Sequence, residues 1–152
     1  MEKPTHEQAQ LQLELFEMRR EARLRQARDW FQKNYFVDSF EEAMKVGAPG
    51  TEAGTNVMMV ASYWEQACSM LNYGLLHEQM FFDTNGEFFM AWERLKPMVP
   101  GFRKQFLANH FLAHMEKAAK RYEEWIEKTS PGHMERMREF MRQMRAQGAK
   151  AA

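Results

Sequence analysis

Eleven β-branched residues in 152 positions leave little to build a sheet from: five valines, five threonines and one isoleucine. Branching at Cβ suits the pleated surface of a strand, and a chain this poor in it argues against one. The apolar load falls on 14 methionines and 12 phenylalanines instead. That bias, with helical periodicity along most of the chain, points to an all-α fold. The expectation is a compact bundle of about six helices in one domain over residues 1–152.

The first helix is expected over residues 5–33, because Pro4 precedes a run without internal Gly or Pro. It carries two apolar stripes. Leu11, Leu15, Met18 and Ala22 share one side; Leu13, Phe16, Leu24, Ala27 and Phe31 lie nearly opposite. A helix with two apolar faces either sits between two elements of its own fold or presents one face to another chain.

Residues 34–128 read as the core. Ser39 and Glu42 form a capping-box pattern, and Gly47 to Gly54 is the clearest loop. Asn56 is placed to cap a helix ending near Tyr73, with Gly74 beyond it. Polarity there is confined to Ser62, Glu65, Gln66, Ser69 and Asn72, so this helix should be the central one. Thr84 and Glu87 make a second capping-box pattern ahead of Phe88, Phe89 and Trp92. Asn109 is expected to cap the next helix. Ser130-Pro131 should open the last, over residues 131–147, with fraying from Gly148.

Charge is balanced overall, 21 basic against 21 acidic residues, which excludes a global attraction to nucleic acid or anionic membrane. It is not even along the chain. Residues 36–102 carry a net −6 and residues 103–152 a net +5. Either the two segments attract each other within the fold, or the basic third meets a partner. The polar start, Met1 to Gln10, lacks the apolar region of a secretory signal. The longest uncharged stretch, Ala53 to Trp64, is shorter than the roughly 20 residues of a membrane span. A cytoplasmic location is expected.

Between Val57 and Arg103 the chain reads Tyr63-Trp64-Glu65, Asn72-Tyr73-Gly74-Leu75, Phe81-Phe82-Asp83-Thr84-Asn85-Gly86-Glu87 and Trp92-Glu93-Arg94-Leu95-Lys96-Pro97. This series resembles a class of short, helical bacterial proteins known only as a domain of unknown function. The resemblance covers about a third of the chain. It implies an all-α fold and brings no catalytic residue, cofactor or activity with it.

Chemistry-bearing patterns are few. His110 and His114 stand at metal-binding spacing, but Phe111 occupies the position of a catalytic glutamate and Lys117 and Arg121 lie beside them. No Glu-x-x-His occurs, which removes the di-iron bundle pattern. Asp83 to Glu87 begins like a calcium loop, yet Trp92 stands where the closing glutamate belongs. Cys68 has no cysteine partner and sits among apolar neighbours. No nucleophile elbow or phosphate-binding glycine loop is present, so the chain reads as non-enzymatic, with no metal and no cofactor.

Two constellations remain. Glu65 is the one charged residue on the most apolar helix. With Trp64, Gln66 and Trp92 it could line a pocket for a small molecule, or it could simply be satisfied by Arg94, Arg103 or a tyrosine. On the last helix, Met134, Met137, Met141 and Met144 form a seam flanked by Arg138, Arg142 and Arg145. That seam either docks on the fold or offers a Met/Arg face to a partner. The expected function is an interaction or scaffold protein associating through Leu11, Leu15 and Met18 of the first helix, the last helix, or both, as a homodimer or with another protein. The alternatives are ligand binding around Glu65 and Trp92, or peripheral membrane attachment through the last helix. Nucleic acid is not expected as a partner, because no aromatics interleave with the basic strip.

Overall fold

The computed structural model describes residues 2–151. Nine α-helices and one short 3-10 turn account for the regular structure among the described residues, against the six or so expected, and no strand is present among them. The surplus comes from breaks the periodicity does not register.

The largest break divides the first helix into α1 (His6–Arg19) and α2 (Ala22–Asn34). Glu21 leaves helical geometry and turns its carboxylate back onto the free N–H groups of Arg23 (2.9 Å) and Leu24 (2.8 Å), so it caps α2 from outside. These backbone bonds hold its carboxyl below the usual range. The break also resolves the two stripes. α1 turns Leu15 into the core, whereas α2 buries Leu24, Ala27 and Phe31 from the other stripe. Leu13 and Phe16 are left exposed.

After the short α3 (Phe40–Val46), capped by Ser39, comes the central helix α4 (Glu52–Asn72). It starts four residues before Asn56 because the Thr51 hydroxyl accepts the Gly54 N–H at 3.0 Å. A side chain at Gly54 would place a Cβ 2.1 Å from the Ala48 carbonyl oxygen, so the loop's last glycine is absorbed into the helix for want of space. Asn56 is instead buried and accepts a hydrogen bond from Arg23. The C-terminus follows expectation: Gly74, at φ 78°, returns its N–H to Leu71, and Leu75 bonds to Met70.

α4 packs against α2 and against α8 (Ala113–Thr129), with α6 (Glu87–Leu95) also in contact. α5 (Glu78–Thr84) precedes α6, and the turn Lys96–Met98 leads into α7 (Val99–Phe106). Thr84 ends α5 and does not cap α6; its hydroxyl donates to the Met80 carbonyl at 2.9 Å. Where these helices converge, Trp64, Phe81, Phe82, Phe88, Phe89 and Tyr122 meet in tilted and edge-on contacts. Burial of one such ring contributes roughly 1.5–3 kcal/mol.

Two leucines occupy left-handed backbone. Leu107 ends α7 at φ 51°, and Leu112 precedes α8 at φ 52°. α8 therefore begins at Ala113, four residues after the cap expected at Asn109. α9 (His133–Ala151) follows the turn at Gly132. Ser130 terminates α8 and does not open α9, and helical structure continues past Gly148 to Ala151.

Candidate functional site

The four residues predicted to surround a ligand do not share a cavity. Adjacent positions on a helix diverge by about 100°, and α4 fans Trp64, Glu65 and Gln66 in three directions. Trp64 is fully buried beside Tyr63 and Phe88, with the Arg19 guanidinium 5.3 Å from its ring. Trp92 is buried in the hydrophobic core. Glu65 reaches across to α8, where its two oxygens accept the N–H groups of His114 (2.9 Å) and Met115 (2.8 Å). α8 has no cap of its own at Leu112, so Glu65 supplies one from a different helix. Both oxygens are occupied by backbone. Gln66 is exposed and borders an open groove.

That groove lies between α1, α2 and α4 and has a volume of about 620 Å³. Met18, Leu24 and Met59 give it an apolar floor; Glu17, Glu21, Ser62 and Gln66 form its rim. Met58 and Met59 extend the floor toward Pro49 and Gly50. Of the α1 residues singled out in the sequence, Leu15 is buried, Leu11 is partly buried and Met18 is half-exposed in this groove.

The methionine seam of α9 faces the fold. Met134 is buried in the core, and Met137, Met141 and Met144 are partly buried. The arginines beside them find carboxylates. Arg138 donates to Glu93 at 2.9 and 2.7 Å and to Glu123 at 2.7 Å, and Arg145 meets Asp38 in a two-bonded fork at 2.7 and 2.8 Å. Arg142 pairs with Glu139 on its own helix. The carboxylate partners raise both Arg138 and Arg145 from the usual arginine range, and Arg145 holds Asp38 below the usual carboxylate range. Arg121–Glu78, Arg138–Glu93 and Arg145–Asp38 join the basic third of the chain to its acidic middle.

Under α9 lie two clefts. One, of about 290 Å³, has apolar walls from Phe31, Val60, Met90, Ala91, Phe140 and Met144. At its edge Arg28 forks onto Glu87 at 2.8 and 2.7 Å. The other, of about 310 Å³, runs past Phe36, Pro97 and Met141 and is lined by Arg138, Arg142 and Arg145. Arg94 borders both. The sequence gives no sign of these clefts, because Arg28 and Glu87 stand 59 positions apart.

Cys68 is buried, and burial pushes its thiol well above the usual range, which keeps it protonated. His114 contacts the Asn72 side chain, while His110 lies in the turn before α8. No group of three or more His, Cys, Asp or Glu side chains is placed to hold a metal among the described residues. No helix among them is long and apolar enough to cross a membrane.

Comparison with curated proteins and with solved structures finds no match to this chain. A family model does match, over residues 4–122, and it covers α1 to α7 and the first part of α8, while α9 lies beyond the matched span. The helical fold agrees with what the motifs between Val57 and Arg103 implied. The chain belongs to the family described as a domain of unknown function, DUF4760.

Proposed function

We propose that the chain is a non-catalytic helical interaction module that pairs with a second copy of itself through the groove between α1, α2 and α4. The supporting observation is the methionine-floored surface of Met18, Met58 and Met59, with Met18 50% and Met58 43% exposed. An apolar strip open to water is the common mark of an association surface, and unbranched thioethers conform to whatever covers them. A two-fold pairing sets the same strip on both partners, so methionine meets methionine without a separate complementary surface. Ser62 and Gln66 supply neutral polar groups on the α4 side of a rim completed by Glu17 and Glu21.

The seam of α9 is occupied with the fold, which favours the first-helix side over the last helix as the point of contact. It equally weighs against a lipid surface, since the apolar side of α9 is turned inward. Light scattering on the full chain and on Met59→Lys tests the reading. A dimer that dissociates in the variant, with its helical circular dichroism unchanged, is the expected result. A wild-type chain that is monomeric at millimolar concentration overturns it.

A further inference from the structure

Every basic side chain lining the two clefts under α9 has a carboxylate partner among the described residues except Arg94. Arg28 takes Glu87, Lys96 and Arg138 take Glu93, Arg142 takes Glu139 and Arg145 takes Asp38. Arg94 is anchored through one nitrogen only: Nη1 donates to the carbonyls of Phe31 (3.1 Å) and Gln32 (2.7 Å), at the C-terminal end of α2. Its guanidinium carbon lies 4.5 Å from the centre of the Phe36 ring and 5.9 Å from that of Phe31. Nε and Nη2 have no protein acceptor among the described residues.

This arrangement fixes a guanidinium by one nitrogen and by stacking, and leaves the Nε–Nη2 edge, the edge that binds a carboxylate through two parallel hydrogen bonds, unused. Burial pulls the group below the usual arginine range, as expected for a cation short of a counter-charge. The remaining electrostatics agree. At the far edge of the same cleft Arg28 holds the carboxylate of Glu87 at 2.7 Å, and Arg19, outside the cleft, shares that carboxylate at 3.8 Å. Two cations, Arg28 and Arg94, thus face the one carboxylate of Glu87 around walls that are apolar apart from Gln32.

We propose that the cleft between α2, α6 and α9 is a small-molecule site for a carboxylate with an apolar body. The carboxylate lies on the Nε–Nη2 edge of Arg94, and the body lies against Phe31, Met90, Phe140 and Met144. The volume of about 290 Å³ sits at the small end of ligand pockets and fits one short hydrocarbon chain or ring. This assignment is independent of the pairing groove between α1, α2 and α4, with which the cleft shares no lining residue.

The probe is decanoate below its micellar concentration, titrated calorimetrically into the full chain, with decan-1-ol and decyltrimethylammonium as companions. Saturable binding of one decanoate, at least roughly tenfold tighter than either companion, is expected. Arg94→Gln should weaken it roughly tenfold or more. Phe140→Glu, at a position exposed enough to leave the fold intact, should weaken it as well, and it decides the matter if Arg94→Gln does not fold. Arg142→Gln should bind as the wild type does. No saturable binding of decanoate, equal binding of decan-1-ol, or equal affinity in Phe140→Glu each overturns the site.

Discussion

The carboxylate of Glu65, in the middle of α4, accepts the backbone N–H of Met115, in the first turn of α8, at 2.8 Å. With the neighbouring bond to His114, one side chain ties α4 to α8 and caps the second of them. The one charge in the interior of the central helix is therefore structural. Glu65→Ala should lower unfolding free energy by about 2–3 kcal/mol, because two buried-end N–H groups lose a charged acceptor. Glu65→Gln, which keeps one acceptor oxygen, should lose about half of that. Urea unfolding gives the free energies, and faster amide exchange at His114 and Met115 locates the loss.

The Asp38–Arg145 pair gives α9 a pH dependence of known sign. Arg145 depresses the folded-state carboxyl of Asp38 below its ordinary value of 3.8. The stabilisation is thus fully present above that value and is lost as pH falls through the depressed one. Amide exchange in α9, divided by the intrinsic rate at each pH, should stay slow from neutral pH down to about 4 and rise below it. Asp38→Asn should show the raised exchange at neutral pH already. Identical profiles for the two proteins would rule out the pair as an anchor.

Leu107 holds left-handed backbone at φ 51° while its side chain is 89% exposed. The conformation costs a leucine about 1–2 kcal/mol that glycine does not incur, and little side-chain packing is lost on removing it. Leu107→Gly should therefore raise stability by roughly 0.5–1 kcal/mol after the extra flexibility of glycine in the unfolded chain is allowed for. Thermal unfolding of the two chains checks the sign.

Much of the helical content could be read from local pattern. Gly74 ends α4 because the turn needs a positive φ there, and Ser39 caps α3 because its hydroxyl accepts the Glu42 N–H. Both signals act within a few residues. The misreadings have two causes: a cap made by a residue type that usually continues a helix, and a partner that is distant. Thr5 to Lys33 looks like one helix because Glu21 is an ordinary helix former, and only its two bonds to Arg23 and Leu24 reveal a cap. Asn109 looks like a cap, but the start of α8 is set by Glu65, about 50 positions earlier. The candidate site divides along the same line. The charge asymmetry anticipated contacts such as Arg138–Glu93, whereas the isolation of Arg94 depends on which carboxylates its neighbours take.

The central claim, that the methionine groove of α1 and α4 pairs two copies, is tested most directly by sedimentation equilibrium of the unmodified chain. Self-association should be fitted by a monomer–dimer equilibrium with no larger species, since a two-fold contact closes on itself. The dimer should also tighten with added salt, because Glu17 and Glu21 on the rim bring like charges together across the axis. A single monomeric species across the accessible concentration range, in low and high salt alike, would contradict the account.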